Sequence, residues 1–63
     1  MERVLEIIVC QKDHLSVRFV CEVIKKQDGD LVLVNVETDE GVNWDYVHFP
    51  MNTIDSYYVR TIA

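Results

Sequence analysis

The sequence predicts an all-β protein, a small five-stranded antiparallel barrel in which residues 1–63 form a single domain. The main observation is an Asp28-Gly29 pair between two runs of alternating apolar residues, which is the strongest short-range signal for a β-hairpin. The other short apolar runs are also separated by turn residues. No stretch has the periodicity of a helix of useful length.

The strand boundaries follow from where these runs stop. Gly41 can take the left-handed position of the turn after the third strand. Pro50 ends the fourth strand because it has no N–H to donate to a sheet. Residues 51–55 then predict a single tight turn with Ile54 pointing inward. We expect strands at residues 3–10, 17–26, 31–38, 42–49 and 56–62.

A two-residue turn at Asp28 and Gly29 also fixes the register of the central hairpin. Opposite residues share a face, so we expect the face that carries Phe19, Cys21 and Val23 to form the core. The other face, with Ile24, Leu31 and Leu33, is expected to be mixed. The predicted opposite pairs are Cys21 with Val36, Val23 with Val34, Lys25 with Val32, Ile24 with Leu33, Lys26 with Leu31, and Glu22 with Asn35.

The net charge of −5 is unevenly distributed. Residues 27–59 contain seven acidic residues and no Lys or Arg. This half of the chain argues against binding a phosphate backbone, which requires clustered basic side chains. Solubility, a basic partner and acidic mimicry of a nucleic acid remain as explanations.

The small size of the domain predicts how it is stabilised. A chain of this length buries only about 60% of the surface that its unfolded form exposes. Two cysteines are too few for a disulfide framework, so self-association is the expected source of extra stability.

No apolar run approaches the ~20 residues of a membrane span, and residues 1–3 lack the basic start of a signal peptide. We therefore expect a cytoplasmic protein with free thiols.

Residues that could support catalysis or bind a metal do not form a recognisable pattern. Cys10, His14, Cys21 and His48 lack the two close ligand pairs typical of small zinc sites. The chain has only two glycines and no glycine-rich phosphate loop. We therefore expect a protein that is not an enzyme and that binds no metal or cofactor.

The predicted strand pattern resembles the small barrels of the Sm-like and SH3-like groups. The segment Tyr46-Val47-His48-Phe49-Pro50-Met51-Asn52-Thr53-Ile54 is similar to the Tyr-Lys-His segment and following turn of the Hfq family of Sm-like RNA chaperones. The resemblance implies ring assembly, with strand four of one subunit pairing with strand five of the next. In that family the Lys-His pair lines an RNA-binding pore. Here Val47 replaces the Lys, and only Tyr46 and His48 carry over.

The aromatic residues predict the binding surface. Adjacent Tyr57 and Tyr58 must point to opposite faces, so one of them is displayed. Our first hypothesis is a protein-interaction module that self-associates through its edge strands and presents Trp44, Tyr46 and Tyr58 within an acidic rim. The second is a ring that binds a nucleotide or an RNA end with Tyr46, His48 and Arg60. The third is a small acidic phage or mobile-element protein that inhibits a host or defence protein.

Overall fold

A computed structural model describes residues 2–62, which form five β-strands and one 3₁₀ turn. All five predicted strands are confirmed, with boundaries shifted by a few residues. No helix in this range is long and apolar enough to cross a membrane. The strands are β1 (Leu5–Gln11), β2 (Ser16–Gln27), β3 (Asp30–Thr38), β4 (Asn43–Pro50) and β5 (Ile54–Thr61), and the 3₁₀ turn is Met51–Thr53.

The strands form one antiparallel sheet in the order β4-β3-β2-β1-β5. The predicted all-β antiparallel fold is confirmed. Within residues 2–62 the hydrogen-bonded order is linear, so β4 and β5 are its two edges and the sheet is not closed. The molecule measures 30 × 23 × 20 Å, far thicker than a flat single sheet, so the sheet curls around its own core.

The central hairpin has the predicted turn and register. Asp28 and Gly29 have φ values of 52° and 80°, and a type I′ turn requires positive φ at both positions. Five of the six predicted pairs are present as backbone pairs. The sixth is bridged by its side chains, because Asn35 Nδ2 donates to Glu22 Oε1 at 3.1 Å.

The predicted division into a core face and a mixed face is wrong over half of this hairpin. Cys21 lies in the core as predicted, but Val23 is 40% exposed. Leu31 and Leu33, predicted for the mixed face, are core residues, and Ile24 packs against them. The positions that face the core therefore switch from odd to even numbers partway along both strands. The switch lies between Cys21 and Ile24 in β2 and between Leu33 and Val36 in β3.

The change of face occurs at Asn35, whose φ is 55°. A left-handed residue interrupts the two-residue alternation of a strand, and Asn tolerates this conformation better than most residues. Leu33 points into the core before it and Val36 after it. Arg3 holds the kink by donating from Nη2 to Asn35 Oδ1 at 3.0 Å and from Nε to the Asn35 carbonyl at 3.2 Å.

Side chains from every strand complete the core. The ring centroids of Phe19 and Phe49 lie 5.8 Å apart in a tilted arrangement. Tyr57 packs against the core and Tyr58 is exposed, as their adjacent positions predicted. Ile54 is buried as expected, although it begins β5 instead of lying in the turn. The buried cluster comprises Ile7, Val9, Phe19, Cys21, Leu31, Leu33, Val36 and Ile54.

Substitutions at Asn35 test whether the left-handed kink determines the fold. We expect Asn35→Ala to lower the free energy of unfolding by about 2–3 kcal/mol, because it loses side-chain hydrogen bonds and strains the backbone. Asn35→Gly loses the same bonds without the strain and should be about 1 kcal/mol less destabilising. Urea unfolding followed by Trp44 fluorescence measures both. Equal destabilisation by the two variants would contradict a backbone role for this residue.

Candidate functional site

The five predicted site residues lie at the two opposite edges of the sheet. Trp44, Tyr46 and His48 are on β4, whereas Tyr58 and Arg60 are on β5. Three strands separate these edges. One chain therefore does not bring the five residues into one site, and it offers two separate surfaces.

The first surface, called here the β4 surface, consists of Tyr46 and His48. Trp44, on the same strand, lies opposite the core residue Val36 and therefore on the other face of the sheet. Val47 and Phe49 pack against the core, so the alternate residues Tyr46 and His48 point to the outer face of the sheet. Their ring centroids are 6.4 Å apart. Tyr46 is 60% exposed and Trp44 is 54% exposed. Large aromatic side chains with this exposure are typical of contact surfaces.

Acidic side chains surround the β4 surface. A cavity of about 400 Å³ beside Tyr46 is also lined by Glu22, Asp45, Val34 and Asn35. On the other side, His48 Nδ1 lies 3.4 Å from Asp30 Oδ2. The β4 surface is thus an aromatic patch with carboxylates at both ends, a combination that suits a partner with basic and apolar groups.

The second surface is built around a carboxylate that sequence reasoning did not single out. Glu6 is on β1, and only 5% of its surface is exposed. Ile7 and Val9 face the core, so Glu6 and Ile8 face outward. Arg60 lies directly opposite Glu6 on β5. Arg18 of β2 reaches Glu6 from the other side. We call Glu6, Arg18 and Arg60 the Glu6 cluster.

Both carboxylate oxygens of Glu6 accept hydrogen bonds from arginine side chains. Arg18 Nε donates to Glu6 Oε2 at 2.5 Å, and Arg60 Nε donates to Glu6 Oε1. Arg18 also donates from Nη1 to Asp39 Oδ1 at 2.6 Å. The bonds from Arg60 and then Arg18 lower the pKa of Glu6 below its usual value, and burial only partly opposes them. Glu6 is therefore an ionised carboxylate that links β1, β2 and β5.

Sequence reasoning missed Glu6 and Arg18 for a specific reason. Glu6 is the single charge inside an apolar run, which is a signal that a buried carboxylate needs a partner. Identifying the partners requires the pairing of β1 with β2 and with β5. The second of these pairs joins residues 54 positions apart, and no turn sequence specifies it.

The cysteines lie apart from both surfaces and from each other. Both are free thiols. Cys10 lies opposite Ser16 on β2, whereas Cys21 lies opposite Leu5 at the other end of β1. Burial raises the pKa of the Cys21 thiol, which makes it a poor nucleophile or metal ligand. Within the part of the chain that the structure describes, no three or more His, Cys, Asp or Glu residues are grouped so that they could hold a metal ion.

Comparisons with protein-family models, with curated proteins and with solved structures returned no significant match. The similarity of residues 46–54 to the Hfq family therefore stays a prediction from the sequence. The five-stranded antiparallel fold rests on the structure itself.

The Glu6 cluster predicts a pH dependence of stability. Because the pKa of Glu6 is lower in the folded chain, its ionised form stabilises the fold fully above the unfolded pKa of 4.5. This stabilisation is lost as the pH falls through the lower, folded pKa. We expect Glu6→Gln to be less stable than the wild type at neutral pH, with the difference shrinking in acid. Urea unfolding at a series of pH values measures it.

The control for this experiment is Glu40→Gln, which changes an exposed glutamate in the turn between β3 and β4. Its stability should follow the wild-type pH profile. If Glu6→Gln also followed that profile at every pH, the proposed stabilisation by ionised Glu6 would be wrong.

Proposed function

We propose that this chain is a non-enzymatic binding module that acts through protein–protein contacts and self-associates by pairing β4 of one copy with β5 of another. The observation that carries the proposal is that both edge strands are long and expose a large aromatic side chain. Each edge strand is eight residues long, and each displays a large exposed aromatic side chain, Tyr46 on β4 and Tyr58 on β5.

Neither edge has the usual protection against pairing. Edge strands are commonly kept apart by lysines, by central prolines or by very short length. β4 contains no Lys or Arg, and Pro50 lies only at its end. β5 has one basic residue, Arg60, near its end. The middle of each strand is thus open to main-chain hydrogen bonding with another strand.

The polar side chains at the strand ends are complementary in an antiparallel alignment. The beginning of β4 carries Asp45, and it would lie near the end of β5 of the second copy, which carries Arg60. The end of β4 carries His48, and it would lie near Asp55 at the beginning of β5. This contact joins two different surfaces, so it can repeat and close into a ring.

The alternative functions depend on the same two surfaces. A ring that binds a nucleotide or an RNA end with Tyr46, His48 and Arg60 requires the contact between β4 and β5, because Arg60 lies at the other edge of its own chain. An acidic inhibitor of a host protein would use the β4 surface, where Glu22 and Asp45 lie beside Tyr46.

Charged substitutions at the two edges test self-association. We expect the wild type to form oligomers at micromolar concentration in sedimentation velocity experiments. Tyr46→Lys on β4 and Val59→Lys on β5 should each give monomers, because a lysine in the middle of an edge disfavours strand pairing. Both side chains are exposed, so the fold should be retained.

Mixing the two variants tests the pairing of unlike edges. Tyr46→Lys retains an intact β5 and Val59→Lys retains an intact β4, so an equimolar mixture should form a heterodimer. Leu15→Lys, in the exposed turn between β1 and β2, is the control and should assemble as the wild type does. A strictly monomeric wild type would overturn self-association, and assembly of Val59→Lys alone would show that β4 pairs with itself.

A further inference from the structure

A second cavity lies on the outer face of the sheet, between β5 and β2. Its volume is about 450 Å³, within the range of ~300–1,000 Å³ that is common for small-molecule sites. It lies beside the Glu6 cluster, on the opposite side of the sheet from the core. The cavity is lined by Glu6, Ile8, Arg18, Tyr58, Val59 and Arg60.

The two arginines of this cavity are held in place and keep hydrogen-bond donors free. A guanidinium group has five N–H donors in a fixed planar arrangement. Arg18 and Arg60 each use Nε to bind the buried carboxylate of Glu6, and Arg18 uses one further donor for Asp39. The only other bond from Arg60 within residues 2–62 is a long contact of 3.4 Å from Nη2. Most terminal N–H groups are therefore available to an anion.

The charge of the lining differs from that of the protein as a whole. Two arginines and one glutamate give a local charge of +1, whereas the whole chain carries −5. Asp39 lies outside the lining but accepts a hydrogen bond from Arg18 Nη1 at 2.6 Å, so Arg18 is paired with two carboxylates and Arg60 with one. The cavity beside Tyr46 has the opposite character, because its charged lining residues are Glu22 and Asp45. A single negative charge on a ligand would match the excess charge of the lining residues themselves.

Tyr58 gives the cavity an aromatic wall. It is 62% exposed, although Tyr57 beside it packs against the core. Tyr58 lies opposite Ile8 on β1, and Arg18 lies opposite Ile8 on β2, so a ring, an aliphatic side chain and a guanidinium form one row across the sheet. An exposed tyrosine next to arginines can stack on a flat ring whose charge the arginines bind.

We propose that this cavity binds a small, singly charged anion that carries a flat aromatic ring. The charged group is a phosphodiester, as in a cyclic nucleotide, or a carboxylate, as in an aromatic acid. The ring stacks on Tyr58, and the anion accepts hydrogen bonds from the terminal N–H groups of Arg18 and Arg60. The site lies within one chain, so it does not depend on self-association.

The test is a titration of the ¹⁵N-labelled chain at low salt, followed by amide chemical shifts. The probes are cyclic 3′,5′-AMP for the phosphodiester, 2-naphthoate for the carboxylate, and uncharged adenosine. We expect one or both anions to bind with saturable shifts confined to residues 6–8, 18 and 58–60, and adenosine to bind at least about fivefold more weakly. Whichever anion binds identifies the charged group.

Matched variants test the two contacts separately. Tyr58→Ser should weaken binding of the anion by at least about fivefold through loss of stacking. Leu15→Ser removes an equally exposed apolar side chain from the turn between β1 and β2 and should leave binding unchanged. Arg60→Gln should also weaken binding and should reduce the dependence on salt. Sedimentation of the same samples reports the oligomeric state, so loss of binding is distinguished from loss of assembly.

Three results would each overturn the proposal. They are no saturable shift with either anion, equal binding of adenosine and cyclic 3′,5′-AMP, and equal weakening by Tyr58→Ser and Leu15→Ser.

Discussion

The fold depends on the left-handed backbone at Asn35. A single sheet has two faces. With strict alternation, Leu31, Leu33 and Ile24 would lie on the face opposite to Cys21, where no other layer would cover them. The positive φ of Asn35 lets β3 direct Leu33 and then Val36 into the same core. Glu22 of β2 lies beside the kink and accepts a hydrogen bond from Asn35, so the paired strand changes face at the same level. This is how one layer of five strands encloses a core without a second layer.

Curling a single sheet also determines what remains outside. Side chains on the outer face have no layer above them, so they are exposed unless they cover one another. Near β5 they do so through charge: Arg18 and Arg60 cover Glu6 and leave it 5% exposed. Near β4 the cover is incomplete, because Val32 is buried but Tyr46 stays open beside acidic residues. The two ends of the outer face thus differ in charge, with one side held by arginines and the other bordered by carboxylates.

The parts of the structure that the sequence predicted are those with local causes. Asp28 and Gly29 specify a two-residue turn, and the turn alone sets which residues of β2 and β3 are opposite each other. The adjacent positions of Tyr57 and Tyr58 likewise dictate that one ring is buried and one displayed. The change of face at Asn35 was not predictable in this way, because an Asn within a strand pattern carries no sign of its φ. Nor was the Glu6 cluster, which requires the long-range pairing of β1 with β5.

Glu6 connects the edge of the sheet to the cavity beside it. Strand pairing at an edge uses mainly main-chain groups, whereas a ligand on the outer face uses side chains. They share Arg60, whose position on β5 is fixed by Glu6 on β1. An anion that binds Arg60 would therefore act on the ion pair that joins β5 to β1. Any ligand of this cavity would change how firmly the edge strand is held, and the edge strand is the part of the protein through which a second copy would bind.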